Sequence, residues 1–388
     1  MLAPRVYLDW NATSPLHPRA RDATTRALDL IGNPNSVHGE GRAARAIVEA
    51  ARRQVAALVG AQPANIVFTA SATEAANMVL TPDFRMGRKT LAIGHLYFSA
   101  IEHPAVREGG QFSPQQMTEI PVTSKGVVDL DGLARLLSSH DRSLGLPMVA
   151  IMAANNETGI VQPVKEAAAL VKLHGGLMVV DAVQAAGRLV VDIEDLAVDF
   201  LIISAHKIGG PKGAGALVSR GEILMPKPLI HGGGQEKGHR SGTENVAALA
   251  GFGAAAEAAR EEMSKAGHRL HELRARLEDG MRRAAPDVII HGEDTERLPN
   301  TTFFSLPGLK SETGQIAFDL EGISVSAGSA CSSGKVGESH VLSAMGCDAR
   351  LGALRISLGF STDAEHIDAA LAAFAKIAGR RKPAGAAA

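Results

Sequence analysis

Short apolar runs alternate with longer amphipathic stretches between residues 66 and 218. The amphipathic stretches 73–80 and 164–174 have helical periodicity. The apolar runs predict strands at 66–69, 90–93, 149–153, 177–181, 201–204 and 214–218. Most of these runs are apolar without alternation, as is typical of parallel strands covered by helices on both faces. The pattern predicts an α/β fold with a mostly parallel sheet, and functional side chains are expected at the carboxyl ends of its strands.

The pattern changes after residue 231. A glycine-rich stretch at 231–242 leads into a long helical pattern at 245–285. Beyond it, an α+β pattern predicts strands at 288–291, 301–305, 323–326 and 354–357, and helices at 311–320 and 362–379. We therefore expect a large domain of residues 16–255 and a smaller α+β domain of residues 1–15 and 256–388.

Charge and composition exclude several classes of protein. The 388 residues carry 40 Lys and Arg against 41 Asp and Glu, a formal charge of −1 that argues against a nucleic-acid binder. A hydrophobic fraction of 45% and a charged fraction of 21% are typical of a globular protein. The apolar runs are shorter than the roughly 20 residues of a spanning helix, and the amino terminus lacks a secretory pattern. Two cysteines fit a reducing compartment, so we expect a soluble cytoplasmic protein without membrane contact.

Candidate chemistry begins at Lys207, which follows an apolar strand and Ser204 and His206 and precedes a glycine-rich turn. A lysine there could form a Schiff base with an aldehyde cofactor, whereas the alternative is a solvated loop lysine. Asp181 ends another apolar strand, where a carboxylate needs a cation such as a protonated pyridine nitrogen. The alternative for Asp181 is a helix cap.

Small residues open the predicted helix after the strand at 66–69. Ala72 and Thr73 would present free backbone N–H groups at its amino terminus, an arrangement that suits a phosphate. Simple capping of the helix is the alternative.

The chain contains these blocks in a fixed order: YLDWNATSPLHP, GNPNSVHGEGRAAR, TASATEAAN, IEHPAV, ANNETGIVQPV, VVDAVQAAG, SAHKIGGPKGAGAL, HGGGQEKGHRSGTENV, LPNTTFFSLPG, VSAGSACSSG and LRISLGFST. With them it resembles the class V aminotransferase family of pyridoxal-phosphate enzymes, and within it the cysteine desulfurases of the NifS and IscS type. The resemblance covers nearly the whole chain. It implies the fold type I of pyridoxal 5'-phosphate-dependent transferases, with a large-domain sheet of the seven-stranded type.

The resemblance also implies the activity. L-cysteine would become L-alanine, and its sulfur would pass as a persulfide to Cys331 and then to acceptors for iron–sulfur cluster or other sulfur-containing cofactor assembly. Lys207 would bind the cofactor and carry the proton, and Asp181 would pair with the pyridinium nitrogen. His103 would stack on the ring and could move protons.

Further site residues follow from the same resemblance. Asn156 and Gln184 match positions beside the cofactor's phenolic oxygen, and Asn156 would also contact substrate. Arg355 matches the arginine that holds the substrate carboxylate. The phosphate-binding set is matched by Ala72, Thr73, Ser204 and His206. Thr243 matches a phosphate ligand from the neighbouring subunit, which implies a homodimer.

Cys331 decides the reaction. It lies in a run of small and polar residues without apolar periodicity, which predicts an exposed mobile loop, and the alternative is a buried structural cysteine. In the family this cysteine can also face an iron–sulfur cluster on a scaffold partner, so Cys331 is the metal-contact candidate. Cys347 is expected to be a helix-end or core cysteine.

Three residues depart from the family pattern. Trp10 replaces the usual Asn and could line the site entrance, Ser71 replaces a Gly at the phosphate turn, and Thr158 of ANNETG replaces the more usual Ile. None of the three is a residue to which the resemblance gives a chemical role. The alternatives are a selenocysteine lyase, another class V aminotransferase, or a non-catalytic dimeric scaffold. A nicotinamide enzyme is excluded because no G-x-G-x-x-G follows the first strand of a βαβ unit.

Overall fold

The computed structural model describes residues 5–328 and 338–381. Within these residues the backbone forms eleven α-helices: α1 Pro18–Leu28, α2 Gly39–Leu58, α3 Ala72–Val79, α4 Pro104–Arg107, α5 Leu130–Ser138, α6 Val164–Leu173, α7 Ile193–Leu196, α8 Val246–Ala284, α9 Ser311–Leu320, α10 His340–Ala344 and α11 Ala364–Arg380. No helix in the described part of the chain is both long and apolar enough to cross a membrane.

Fifteen strands lie in the same described residues, in three sheets. Their bounds are β1 Val6–Tyr7, β2 Ile66–Thr69, β3 Asp83–Met86, β4 Lys89–Ser99, β5 Met117–Ile120, β6 Leu146–Met152, β7 Leu177–Asp181, β8 Phe200–Ser204, β9 Gly215–Ser219, β10 Leu224–Pro226, β11 Ile289–Ile290, β12 Thr301–Ser305, β13 Ile323–Ser324, β14 Ser326–Ala327 and β15 Leu354–Ser357.

The largest sheet has a seven-stranded centre with the order β5-β4-β6-β7-β8-β9-β2. The pairs from β5 to β8 are parallel, and β9 is antiparallel to both of its neighbours. The carboxyl ends of β2, β4, β6, β7 and β8 therefore meet at one edge. All residues of β2, β8 and β9 are buried, which is why the sequence shows continuous apolar runs there. The predicted α/β fold with a mostly parallel sheet is confirmed.

The structure adds strands that the apolar pattern did not reveal. β3 and β10 extend the sheet through the first residues of β4, and β5 forms the edge beside its last residues. Three of the four residues of β3 are exposed. Strands at or next to the edge of the sheet, as β10, β3 and β5 are, lack the continuous apolar run that marks buried parallel strands, so the sequence pattern missed them.

The second part of the fold is a four-stranded antiparallel sheet with the order β11-β12-β15-β14. The single strand predicted at 323–326 is two short strands, because β13 pairs with β1 while β14 pairs with β15. The pairing of β1 with β13 joins the amino-terminal residues to this part of the fold. The other strands and helices predicted beyond residue 285 are present, with small shifts of their ends.

Helix α8 connects two hydrophobic cores. Its first half packs Leu249 and Phe252 into the core beneath the large sheet, with α2. Its second half packs Leu277 and Met281 into the core of the four-stranded sheet, with α11. The predicted domain boundary at residues 255 and 256 falls inside this continuous helix, which ties the two cores together.

Candidate active site

A cavity of about 340 Å³ lies at the carboxyl ends of the parallel strands. The amino-terminal residues Asn11 and Ala12 and the β14 residue Ser326 close it from the other side. The cavity is lined by ten of the predicted site residues: Ala72, Thr73, His103, Asn156, Asp181, Gln184, Ser204, His206, Lys207 and Arg355. These residues are spread over more than 280 positions of sequence, so only the fold brings them together.

Lys207 is presented by a short turn after β8. The single 3₁₀ turn Ala205–Lys207 follows the strand directly, and the Lys207 amine donates to the carbonyl oxygens of Asn11 at 2.7 Å and Ala12 at 2.9 Å. The hydroxyl of Ser14 donates to the Lys207 carbonyl oxygen at 2.8 Å. These contacts fix both the backbone and the amine at the cavity wall.

Asp181 ends β7 and faces the same cavity. Within the described residues its side chain accepts one hydrogen bond, from the Val183 N–H to Oδ1 at 2.9 Å. Burial raises the pKa of Asp181 to about 6, although the Val183 N–H and the Lys207 cation favour the charged form. A half-buried carboxylate with a remaining oxygen at a cavity wall is suited to pair with a cationic ligand group.

The amino terminus of α3 forms another wall. Ser71 is its N-cap, and its Oγ accepts the Glu74 N–H at 3.1 Å while Glu74 accepts the Ala70 N–H at 2.8 Å. The next N–H groups, of Ala72 and Thr73, have no intrahelical partner, as in the first turn of any α-helix. They are available to an anion at the positive end of the helix dipole.

The departure at Ser71 is explained by its backbone. Ser71 has φ −166° and ψ 165°, an extended conformation that any residue adopts, so a glycine is not required. Close approach is instead provided by Gly215, which pairs with both Thr69 and Ser204. A Cβ at Gly215 would lie 2.6 Å from the Ser71 carbonyl carbon and 2.8 Å from the Ala72 nitrogen. A side chain there would push the helix terminus away from the strands.

Two histidines line the cavity in neutral form. Burial, with the nearby Lys207 cation, lowers the pKa of both His103 and His206 to about 4. His103 Nδ1 accepts the Ala105 N–H at 3.1 Å, so its proton is assigned to Nε2. His206 Nδ1 lies 3.2 Å from Thr13 Oγ1. Both rings therefore serve as neutral donors and acceptors near pH 7.

Arg355 is held in the middle of β15 and is only 4% exposed. Its guanidinium donates to Asp9 Oδ1 and to the Asn156 carbonyl oxygen, each at 2.8 Å. Arg355 Nε has no hydrogen-bond partner among the described residues. The paired anion expected for a strand arginine is thus Asp9, and the cavity leaves room for a second carboxylate beside it.

Sequence reasoning missed several residues of this site. Asn11 and Asp9 lie in the motif YLDWNATSPLHP. Nothing in the sequence pattern shows that Asn11 contacts Lys207 or that Asp9 contacts Arg355. Arg188 is half-buried, and burial, with the nearby Arg355 cation, lowers its pKa to about 10. Its guanidinium donates to the Gln184 side chain at 2.9 Å and to the Lys207 carbonyl oxygen at 3.3 Å. Arg188 therefore holds two predicted site residues in place from behind.

Two other sequence candidates lie elsewhere, and a third falls outside the described residues. Thr243 is exposed and does not line the cavity of its own chain. Cys331 lies outside the described residues, as does the metal contact suggested for it. Cys347 is half-buried just beyond α10, and burial raises the pKa of its thiol, as expected for a helix-end cysteine. No group of three potential metal ligands occurs among the residues that the structure describes.

The suggestion that Trp10 lines the entrance of the site is wrong. Trp10 is 3% exposed, does not line the cavity and donates its indole N–H to the Tyr7 carbonyl oxygen at 3.1 Å. Its ring packs edge-on against Phe360, with 4.9 Å between ring centroids. A Cβ at Gly359 would overlap the indole ring, so Gly359 makes the space that Trp10 fills.

The cavity fits the cofactor that the resemblance implies. Its volume lies in the range of small-molecule sites, roughly 300–1,000 Å³. The N–H groups of Ala72 and Thr73, with Ser204 and His206, provide donors for a phosphate. The half-buried carboxylate of Asp181 provides a partner for a pyridinium nitrogen, and Lys207 also lines this cavity with its amine. The phosphate, the ring nitrogen and the aldehyde of the cofactor therefore each have a matching group in the protein.

Comparisons with known proteins agree with this geometry. The sequence profile described as "Aminotransferase class-V" matches residues 6–370. The "Cysteine desulfurase IscS" of Dictyoglomus turgidum is 39% identical over 379 residues, which cover 96% of this chain and 94% of that protein. The solved structure of a NifS-like protein from Rickettsia africae is 35% identical with a TM-score of 0.86, covering 96% of this chain and 99% of that chain. A structure of SspA in complex with cysteine is 28% identical with a TM-score of 0.74, covering 91% and 98%.

Proposed function

Because this chain belongs to the class-V aminotransferase family, we propose that it is a pyridoxal-phosphate-dependent cysteine desulfurase that uses Lys207, Arg355 and Cys331. The relatives named cysteine desulfurase and the NifS-like fold support this activity. The observation that carries the assignment of residues is the cavity that joins the Lys207 amine, the half-buried Asp181 carboxylate and the Arg355 guanidinium.

The enzyme takes its electron sink from pyridoxal phosphate, which stabilises negative charge at the substrate α-carbon when it is bound. The phosphate would be held by the α3 amino terminus with Ser204 and His206, and Asp181 would keep the ring nitrogen protonated. The neutral ring of His103 lies against the cofactor site and can pass a proton through Nε2. Gln184 and Asn156 complete the wall.

The residues of this chain bind the substrate and move its protons. Arg355 binds the carboxylate of L-cysteine. Its guanidinium donates to Asp9 and has further N–H groups that can donate to a carboxylate oxygen of the substrate. Lys207 Nζ carries the proton to and from the substrate α-carbon. Its amine lies in the cavity, which His103 also lines. Asn156 also lines the cavity and accepts a hydrogen bond from the Arg355 guanidinium through its carbonyl oxygen.

Cys331 receives the sulfur. Ser326 lines the cavity, and Cys331 follows Gly328 by three positions, so the Cα atoms of Gly328 and Cys331 are at most roughly 11 Å apart. The Cys331 thiolate attacks the substrate sulfur, so that a sulfur–sulfur bond forms as the carbon–sulfur bond breaks. Protonation of the carbon then yields L-alanine, and Cys331 keeps a persulfide. The reaction needs no oxidant, since L-cysteine and a thiol become L-alanine and a persulfide.

We further propose a homodimer in which Thr243 reaches the partner's phosphate site. Thr243 is exposed, and Asn35 donates to its neighbour Glu244 at 3.1 Å. Close to Asn35 in sequence, Ile31 and Val37 are 92% and 88% exposed, which is unusual for large apolar side chains and suits a protein interface. A second copy of the chain would cover these side chains and complete the site.

The sulfur would pass from Cys331 to an acceptor protein or an iron–sulfur scaffold. There it would be used to assemble iron–sulfur clusters or other sulfur-containing cofactors. We place the enzyme in the cytoplasm, where reducing conditions would preserve the Cys331 thiol. An iron–sulfur cluster on such a scaffold would be the metal group that the Cys331 sulfur contacts.

The test measures release of alanine and sulfide from L-cysteine, with a reductant present, for wild type, Cys331→Ala and Cys347→Ala. Bound cofactor is first checked by absorbance. We expect stoichiometric products from wild type and from C347A, and loss of turnover with retained cofactor in C331A. Selenocysteine and an oxo-acid acceptor are assayed in parallel.

Other results would refute the proposal in defined ways. Full activity of C331A would show that Cys331 is not the sulfur acceptor. Turnover of selenocysteine alone would identify a lyase, and amino-group transfer alone would identify an aminotransferase. Purified protein that binds no cofactor would favour the dimeric scaffold.

A further inference from the structure

The described chain on each side of residues 329–337 lies against one buried acid, Glu157. Glu157 is 2% exposed and follows the cavity residue Asn156. The hydroxyl of Ser339 donates to Glu157 Oε2 at 2.6 Å. On the other side, a Cβ at Gly328 would lie 3.2 Å from the same oxygen. One carboxylate oxygen therefore lies beside the last described residue before the segment and binds the second described residue after it.

The contact with Ser339 is well defined. Ser339 is 5% exposed and caps α10, since its Oγ accepts the Leu342 N–H at 3.2 Å. Its single hydroxyl proton is therefore directed to Glu157. A length of 2.6 Å is typical of a hydroxyl donating to a carboxylate, which is among the stronger hydrogen bonds of proteins. Burial raises the pKa of Glu157 to about 7, and Ser339 and Arg355 favour its charged form.

A second contact fastens the next residue. His340 Nε2 donates to the carbonyl oxygen of Glu102 at 3.0 Å, and Glu102 precedes the cavity residue His103. Two consecutive residues after the segment are thus fixed to neighbours of two cavity residues. Before the segment, Ser326 donates to Asp9, which binds Arg355.

We propose that Glu157 is a positioning residue for sulfur transfer: it holds the chain after Cys331 through Ser339 and lies beside Gly328 before it, close to the Arg355 carboxylate subsite. This inference rests on the proposed function and adds to it a residue that does not line the cavity. Its distinctive consequence is that the two steps of the reaction should respond differently to loss of Glu157. Proton transfer at the substrate α-carbon requires Lys207 and not Cys331, so loss of Glu157 should leave it intact while slowing persulfide formation.

The experiment uses the full-length holoenzyme and the variants Glu157→Ala, Glu157→Gln and Ser339→Ala. Exchange of the L-alanine α-proton in heavy water is followed by NMR, and persulfide on Cys331 is timed by mass spectrometry in a single turnover. Misplacing a reacting group by about 1 Å can cost on the order of 100-fold. We expect persulfide formation to fall at least about 10-fold in E157A and S339A, with α-proton exchange within about twofold of wild type.

Two variants serve as comparisons. Glu157→Gln keeps an acceptor for Ser339 and should restore most of the persulfide rate. Glu338→Gln changes an exposed acid next to Ser339 and should match wild type. Thermal unfolding checks that each variant folds, and S339A carries the test if E157A does not.

Specific results would overturn the inference. Persulfide formation at the wild-type rate in both E157A and S339A would do so. An equal loss of α-proton exchange would do so too, because Glu157 would then act on the cavity and not on Cys331. A wild-type enzyme that forms no persulfide would overturn the proposed function and this inference together, whereas normal wild-type turnover separates the two.

Discussion

Replacing Asp181 with Asn should stabilise the cofactor-free protein above pH 6 and weaken the holoenzyme. Asp181 is half-buried at the cavity wall, and the burial of its carboxyl raises its pKa from an ordinary value of 3.8 to about 6. A raised folded-state pKa means that the protonated acid favours folding. This contribution is fully present below about pH 4 and is lost as the pH rises through about 6.

The size of the effect follows from the pKa of Asp181. Each tenfold change in proton affinity corresponds to roughly 1.4 kcal/mol, so ionised Asp181 costs the cofactor-free fold about 3 kcal/mol. Asn keeps an oxygen that can accept the Val183 N–H and has no charge to bury. The difference in unfolding free energy between D181N and wild type should therefore grow by about 3 kcal/mol between pH 4 and pH 7 and then level off.

Urea unfolding of the cofactor-free chain measures this difference. Trp10 is the only tryptophan and is buried, so its fluorescence reports the loss of the fold. The control is Asp294→Asn, which changes an exposed aspartate. With cofactor bound the order reverses, because D181N lacks the anion for the ring nitrogen and should bind the cofactor more weakly. A difference that stays constant from pH 4 to pH 8 would refute the reasoning.

Three further substitutions test other parts of the site. Arg355→Lys keeps the charge and loses the forked geometry, so KM for L-cysteine should rise at least about 10-fold, with kcat changed less; an unchanged KM would exclude Arg355 from carboxylate binding. Ser71→Gly should lower stability by a few tenths of a kcal/mol with cofactor affinity within about twofold, since the backbone is extended; a large loss of affinity in fluorescence titrations would show that the hydroxyl binds the phosphate. Gly359→Ala should destabilise the fold by about 1–3 kcal/mol because its Cβ overlaps Trp10, and the cost should shrink in a Trp10→Ala background. Additive effects in urea unfolding would contradict that contact.

Most of the sheet could be predicted from local patterns. Strands buried on both faces leave continuous apolar runs, and the predicted 66–69 and 177–181 match β2 and β7. Strand β3 lies between β4 and the edge strand β10 and has three of its four residues exposed, so it leaves no such run and was missed. The order of the strands also had no local signal, because pairing joins segments far apart in sequence.

The candidate site was predicted unevenly for the same reason. Lys207 and Asp181 stand at the ends of recognisable strands, and the motifs around them suggest their chemistry. Asp9 and Arg355 are 346 residues apart, and Ser339 and Glu157 are 182 residues apart, so their contacts had no sequence signal. Trp10 was misplaced because a departure from a motif does not show which side of the chain the new side chain occupies.

The sequence by itself determined the type of fold, the family and the residue types available for chemistry, because these depend on local periodicity and on ordered motifs. Only the tertiary structure decided which backbone oxygens bind Lys207, which anion pairs with Arg355 and how far burial raises the pKa of Asp181. Such properties depend on the distances and the water excluded between distant segments. Those quantities exist only once the chain has folded.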